Sequence, residues 1–367
     1  MLLYKGLRDQ LLSPLQSVCG IVEKRHTLPI LSNVLIEKNG EDLTLLATDI
    51  EIQITAQSKA PGDEKVAITV GARKLQDILR SLPETTEVSL TLSDKRLQLK
   101  AGKGRFNLQT LPAEDFPRMV VTKDQPTQFS VTQKLLKQLL ALVQYAMAQQ
   151  DIRYYLNGLL LIVKGDELRA VTTDGHRLAY ATGQLKETPS PIEVILPRKT
   201  ILELSRQLSD SDELVEIVLT PSQACFKFNN TEFVSKLIDG KFPDYERVIP
   251  QHHGKVIKLS RNQLIQSLQR VAILTNEKFR GVRLLLDTGS LKIISNNVEQ
   301  EEAQEEIEID YTGEPLDVGF NVTYLLDVLN NVAEEIIELH LADANSSALF
   351  ILPGNENFKY VVMPMRI

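Results

Sequence analysis

The chain holds only two cysteines in 367 residues, Cys19 and Cys225, and neither has a CxxC partner. That scarcity excludes a disulfide framework and a thiolate metal site, and both thiols are expected to be buried and reduced, as in a cytoplasmic protein. No run of about 18 uncharged apolar residues occurs, so no membrane-crossing helix is expected. The opening MLLYKGLRDQ has no basic stretch leading into an apolar core, so no secretory leader is expected either. Catalytic signatures are equally sparse: there is no GxSxG, no GxxxxGK(S/T) and no HExxH. Ala101-Gly102-Lys103-Gly104 lacks the earlier glycine of a phosphate loop and reads as a hairpin turn. The five histidines are scattered, with His252-His253 in a polar linker. No metal, cofactor or catalytic residue is expected. A basic excess is missing as well, and the net charge of -7 taken alone argues against a nucleic-acid partner.

What is present is an ordinary globular composition, 43% hydrophobic and 24% charged, without low-complexity segments. The length exceeds what one compact core serves, so two or three domains are expected. Amphipathic helical patterns are predicted at 11–22, 134–147 and 261–274, the last with Leu264, Ile265, Leu268, Val271 and Ala272 on one face. Each is followed by an apolar strand (28–36, 154–163, 282–286) and, after a short turn, a second strand (43–48, 168–173, 291–295). The second strands end in Thr48-Asp49, Thr173-Asp174 and Ser295-Asn296, residues that favour turns. A second helix follows at 73–82, 199–208 and 322–332, and the first two copies close on Phe116-Pro117 and Phe242-Pro243. All of these landmarks recur at 122 to 127 residues. The expected architecture is therefore an α+β unit repeated three times, at 1–125, 126–253 and 254–367, with linkers near 121–128 and 251–255. The alternative is three unrelated α+β domains of similar size.

Charge separates by element. Counted with their flanking residues, over 5–25, 71–82, 131–147, 196–209, 261–274 and 320–332, five of the six predicted helical segments carry +2 and the sixth -1, so together they hold +9 and the rest of the chain holds -16. Basic helix faces can attract phosphate while acidic sheets keep the outer surface soluble, which removes the objection raised by the net charge.

One segment resembles an active site, Thr172-Thr173-Asp174-Gly175-His176-Arg177-Leu178, in which Asp174 and His176 could share a proton or ligate a metal. The repeat places it where the other copies have a plain turn, which explains Asp174 and Gly175 without catalysis. It leaves His176, Arg177 and Leu178 unaccounted for.

Seven stretches carry a resemblance: TLPILSN at 27–33, RYYLNG at 153–158, TDGHRLA at 173–179, DGKFPDY at 239–245, NEKFRGVR at 276–283, GFNV at 319–322 and VMPMR at 362–366. In order and over the full length they resemble the bacterial sliding clamp, the beta subunit of the replicative DNA polymerase III holoenzyme. The resemblance implies a DNA clamp fold, a head-to-tail homodimer closed into a ring, helices lining the hole and antiparallel sheets outside. It implies a non-catalytic processivity factor that encircles double-stranded DNA without sequence specificity.

Positions matching the family's DNA contacts are Arg25, Arg73, Gln150, Arg153, Tyr154, Arg198, Lys199, Arg247 and Arg366. Tyr154 and its neighbour Tyr155 could equally be strand-core aromatics. Positions matching its peptide groove, which takes a short linear motif of the polymerase catalytic subunit, the clamp loader, other polymerases and repair factors, are Leu156, Thr173, Gly175, His176, Arg177, Leu178, Pro243, Val248, Val361, Met363, Pro364, Met365 and Arg366. The C-terminal run could also be a final core strand. For ring closure, a basic strand with Lys100, Lys103 and Arg105 is expected opposite an acidic one with Glu299, Glu301, Glu302 and Glu305, with Phe106 and Leu108 against Ile273 and Leu274 as the apolar centre. Read by itself, the acidic run is also compatible with a solvated face. Two other functions stay open from the residues alone: a hydrolase using Asp174 and His176, and a monomeric DNA-binding scaffold.

Overall fold

The structure, a computed structural model, describes residues 1–23, 28–122, 124–251 and 254–367. Arg25 and His252-His253 lie outside the described residues. The chain forms two compact bodies, Met1–Lys134 with Leu202–Leu237, and Leu135–Ile201 with Ile238–Ile367. The repeats are not these bodies, because the central repeat contributes to both.

The described residues form six helices: α1 (Arg8–Cys19), α2 (Ala72–Ser81), α3 (Gln133–Val143), α4 (Arg198–Gln207), α5 (Arg261–Val271) and α6 (Val322–Asn331). The first helices of the repeats begin at residues 8, 133 and 261, and the second at 72, 198 and 322, so the predicted spacing holds. The apolar periodicity is what gets buried. In α1 the inward face is Leu11, Leu12, Leu15, Val18 and Cys19, and in α2 it is Ala72, Leu75 and Leu79. In the second body α5 buries Leu264, Leu268 and Val271, and α6 buries Val322, Leu325, Val328 and Leu329. Each fully buried Leu or Val contributes on the order of 1.5–3 kcal/mol. Pro14 sits inside α1 and cannot donate to the Gln10 carbonyl. The Ser58 hydroxyl donates to that carbonyl instead, at 3.1 Å.

The first body holds one twelve-stranded sheet. Its spatial order is Leu2–Leu7, Glu87–Ser93, Arg96–Ala101, Gly104–Pro112, Lys65–Gly71, Asn33–Asn39, Asp42–Thr48, Ile52–Lys59, Thr231–Lys236, Gln223–Phe228, Leu214–Leu219 and Thr127–Thr132. The second body holds an eight-stranded sheet in the order Ile192–Pro197, Gly158–Lys164, Glu167–Thr173, Arg177–Gln184, Asn355–Val362, Ala348–Leu352, Ile336–Leu341 and Lys255–Ser260. A four-stranded sheet in the same body runs Glu302–Glu308, Ser290–Asn296, Gly281–Asp287 and Leu316–Asn321. Every pairing among the described residues is antiparallel. Sheets therefore continue from one repeat into the next: Ile52–Lys59 pairs with Thr231–Lys236 at the first junction, and Arg177–Gln184 with Asn355–Val362 at the second.

Two sequence expectations need correction. The strands predicted from residues 28 and 154 begin later, at Asn33 and Gly158, behind the single 3-10 turns Pro29–Ser32 and Tyr154–Leu156. Proline at the start of the first turn presets the φ that such a turn needs. The tail of α3 and of α5 likewise tightens into 3-10 turns, Gln144–Ala146 and Ala272–Leu274.

Candidate functional site

At the second junction the strand end and the following turn are fixed by a closed set of hydrogen bonds. The Thr173 hydroxyl donates to the Arg177 carbonyl at 2.6 Å and accepts from the Gly175 amide at 3.1 Å. Asp174 Oδ1 accepts from the His176 and Arg177 amides at 2.9 and 3.1 Å. Gly175 has φ +90, a backbone conformation that side chains strain, and a Cβ there would stand 3.0 Å from the Arg153 guanidinium nitrogens. The incoming C-terminal strand docks on this frame: Leu178 pairs with Val361, and the Met363 amide donates to the His176 carbonyl at 2.9 Å.

Arg177 is the buried post of the arrangement, with its side chain only 9% exposed. Its Nε donates to Asp174 Oδ2 at 3.1 Å, one terminal nitrogen donates to the Tyr145 carbonyl at 2.7 Å, and the other pairs with Asp327 on α6. The guanidinium lies 4.3 Å from the centroid of the Tyr324 ring, a cation–π contact. Burial pushes the phenols of Tyr145 and Tyr360 well above their ordinary range, so both stay neutral beside it. Asp174 is thus spent on its own turn and on Arg177. That removes the acid–base pair with His176 on which a hydrolase would depend. Among the described residues, no group of three His, Cys, Asp or Glu side chains could hold a metal ion.

Above this frame lies a cavity of about 180 Å³. Ten expected groove residues line it: Leu156, Thr173, Gly175, His176, Arg177, Leu178, Pro243, Val248, Val361 and Met363. Arg153, Tyr155 and Tyr245 line it too, and were not expected there. Pro364, Met365 and Arg366 are not among its lining residues. The tail turns away, the Met365 amide donates to the Gly319 carbonyl at 2.9 Å, and Met365 and Ile367 lie over the bare backbone of Gly281 and Gly319. Met363 stays 42% exposed at the rim. Such a flexible thioether beside apolar walls suits ligands of varied shape.

The expected DNA contacts fall into two kinds. Arg73 and Arg198 occupy the first turns of α2 and α4 and repeat one interaction: Arg73 donates to the Val22 carbonyl at 2.6 Å, and Arg198 to the Met147 carbonyl at 3.2 Å. Each leaves other guanidinium N–H groups available. Lys199 follows Arg198 in α4, Gln150 is exposed at φ +57, and Arg366 is exposed. Arg247 projects into solvent with an Asp244 partner at 2.7 Å. Arg153 differs, since it is held by Asp151 at 2.8 Å and donates to the Asp174 carbonyl, forming a wall of the cavity. Hydrogen bonds from Arg153 lower the Asp151 carboxyl to about 2. Tyr154 and Tyr155 are not strand aromatics: they sit edge-to-face in the 3-10 turn, Tyr154 exposed and Tyr155 facing the cavity.

Two sheet edges complete the inventory. In the first body, Gly104–Gln109 pairs with Arg96–Ala101 on one side only, and Lys65–Gly71 reaches this strand just at Thr110–Pro112. The three basic residues do not share the one strand expected of them: Arg105 is exposed on the edge strand, Lys103 in the turn before it, and Lys100 on the neighbouring strand opposite Arg105, while Phe106 and Leu108 are half-buried on the edge strand. In the second body Glu302–Glu308 is the end strand of its sheet. Ile273 nearby is 77% exposed and Leu274 half-buried. The acidity of this strand is less bare than its letters imply. Glu305 is bound by Arg270, whose hydrogen bonds lower its carboxyl, and Glu301 accepts from Asn297 at 2.6 Å. Glu299 and Glu302 remain exposed.

The three repeats match three family models in order: the DNA polymerase III beta subunit N-terminal domain at residues 6–120, the central domain at 130–244 and the C-terminal domain at 246–366. The beta sliding clamp of Pseudomonas putida is 49% identical over 363 residues, 98% of each chain. That of Pseudomonas aeruginosa is 48% identical over 367 residues, again 98% of each. A crystal structure of a sliding clamp (DNA polymerase III subunit beta) from Pseudomonas aeruginosa bound to griselimycin superposes with a TM-score of 0.96 at 47% identity, covering all of both chains. With every repeat matched and a close relative over its whole length, this chain belongs to the DNA polymerase III beta subunit family, the beta sliding clamps.

Proposed function

We propose that two copies of this chain close head to tail into a ring around duplex DNA and tether the replicative polymerase, the clamp loader, other polymerases and repair factors to it. Family membership running through all three repeats carries this conclusion. The protein is a non-catalytic processivity subunit. It works by topology, since a tether keeps a weakly held partner at high effective concentration near the DNA.

Each assigned residue has a chemical task in this mechanism. Arg25, Arg73, Gln150, Arg153, Tyr154, Arg198, Lys199, Arg247 and Arg366 are the contacts to phosphate, which carries no base information and so permits sliding. Arg73 and Arg198 are supported by the carbonyls that anchor them while keeping donors for phosphate. The cavity at the second junction takes a short linear peptide, with apolar side chains against Leu156, Leu178, Pro243, Val248 and Val361 and Met363 folding over it. Pro364, Met365 and Arg366 extend that surface beyond the cavity. Ring closure joins the basic edge of one copy to the acidic edge of the other. Phe106 and Leu108 meet Ile273 and Leu274, and Lys100, Lys103 and Arg105 meet Glu299, Glu301, Glu302 and Glu305. Opposite charge favours this pairing over acid against acid. The repeats act as domains 1–125, 126–253 and 254–367, and the protein works in the cytoplasm. Among the described residues no helix is long and apolar enough to cross a membrane.

The test is retention on DNA. The protein, loaded onto nicked circles, is expected to stay bound and to be lost once the circle is cut to a linear molecule. Equal retention on both substrates refutes encirclement. Sedimentation at twice the chain mass of 41.2 kDa separates the ring from a monomeric scaffold.

A further inference from the structure

The first junction reproduces the hydrogen-bond frame of the second, bond for bond. The Thr48 hydroxyl donates to the Ile52 carbonyl at 2.8 Å and accepts from the Ile50 amide at 2.9 Å. Asp49 Oδ1 accepts from the Glu51 and Ile52 amides at 3.0 and 2.7 Å, and the Lys236 amide donates to the Glu51 carbonyl at 2.9 Å. In the second junction Thr173, Gly175, His176, Arg177 and Met363 make the same five bonds. Pro117 stands where Pro243 stands, and a cavity of about 300 Å³ opens above the frame.

The chemistry of its walls is different. Ile50, at φ +71, takes the place of Gly175 and puts a 44% exposed branched side chain on the surface. Lys236 takes the place of Met363 and is exposed, with no side-chain partner among the described residues. The chain after Pro117 does not fold over the cavity in a helical turn as Tyr245–Arg247 does. It is held extended by two glutamines: Gln53 accepts from the Met119 amide at 2.8 Å, and Gln223 accepts from Thr122 and donates to the Val120 carbonyl. Between these anchors Val120 is left 80% exposed. An isoleucine and a valine left this far in water next to an ammonium group bring the isolated chain little benefit, since Val120 stays largely in solvent and Ile50 nearly half so.

We propose that the first junction is a second peptide-docking site, for a short segment that carries a bulky apolar side chain next to a carboxylate. The apolar side chain covers Ile50 and Val120, and the carboxylate pairs with Lys236. The proposal rests on the reading of the second-junction cavity as a peptide groove. Where the second junction has Met363, and an Arg153 already paired with Asp151, the first has Lys236 as an ammonium without a side-chain partner among the described residues, so an acidic segment is favoured at the first junction.

Methyl resonances tell the sites apart in the intact protein, because Ile50 and Met119 report on the first junction and Met363 on the second. The probes are two acetylated hexapeptides, Ser-Leu-Phe-Glu-Glu-Gly and Ser-Leu-Phe-Lys-Lys-Gly. The acidic peptide is expected to shift the Ile50 and Met119 methyls saturably. The basic peptide, or the Lys236→Glu variant with the acidic peptide, is expected to weaken that response at least tenfold. The Met363 response of Lys236→Glu, unchanged from wild type, shows that the variant is folded. Shifts confined to Met363 overturn the second site and leave the groove standing. Shifts at Ile50 that ignore both charge reversals also overturn the proposal, and silence at all three methyls overturns it together with the groove reading.

Discussion

Replacing Arg177 by methionine keeps the apolar stem and deletes the guanidinium, which isolates what that group holds together. The loss includes the Asp174 bond at 3.1 Å, the Tyr145 carbonyl bond at 2.7 Å, the Asp327 pair and the stacking on Tyr324. Hydrogen bonds to charged groups contribute about 1.5–3 kcal/mol each, and breaking a buried ion pair costs about 3–5 kcal/mol. The Asp327 side chain is 32% exposed and can be rehydrated, so the lower end applies, about 3 kcal/mol. A chain of several repeats does not melt as one two-state unit, so a local probe is needed. The Met363 amide, bonded to the His176 carbonyl, sits next to the lesion. Its hydrogen exchange is expected to accelerate about a hundredfold, since about 1.4 kcal/mol is a factor of ten. Asp327→Asn should recover only part of that effect, and the two changes should couple in a double-mutant cycle. Exchange at Met363 within threefold of wild type in Arg177→Met would show that Arg177 does not fasten the C-terminal strand.

Three further outcomes follow from local chemistry. The Asp151 carboxyl is held at about 2, below its ordinary 3.8, so its support of Arg153 is complete above pH about 4 and is lost as pH falls through about 2. A carbon-detected titration should find that midpoint, and a value at or above 3.8 contradicts the pairing. Burial pushes the Cys19 and Cys225 thiols up to about 12, so neither should react with iodoacetamide at pH 8 in the native protein, and alkylation within minutes refutes their enclosure. Deleting Met363 to Ile367 should abolish binding of a groove peptide while leaving the dimer intact, and unchanged peptide affinity rules out Met363 as part of the groove.

The threefold repeat was legible because turns have strict requirements. Thr-Asp at residues 48–49 and 173–174 recurs because a hydroxyl and a carboxylate are both needed to satisfy the amides of the same tight turn. Helix faces were legible for a similar reason, since leucine and valine at spacings of three and four can be buried only on one side. What escaped were relations between distant residues. Arg270 neutralises Glu305 from 35 positions away, so the acidic strand looked more exposed in its letters than it is. Arg153 was expected at the DNA surface, and its letters did not show that Asp151 and the Asp174 carbonyl also hold it in the cavity wall, where the bare α-carbon of Gly175 makes room for it.

Arg177 shows most clearly where letters stop and geometry begins. Its place in a distinctive motif suggested a ligand contact, and it does line the cavity, while its guanidinium is bonded to Asp327 on α6. The same motif therefore does two jobs at once. Its backbone and the residues beside it, Gly175, His176 and Leu178, form the floor of the cavity, while its charge ties the strand of the second repeat to a helix of the third. A buried guanidinium costs several kcal/mol to desolvate and is retained only where its partners are fixed. The turn and α6 are thus joined by this guanidinium, which bonds Asp174 of the turn and Asp327 of the helix. The first junction lacks this link, since Ile52, a buried apolar side chain, stands at the matching place.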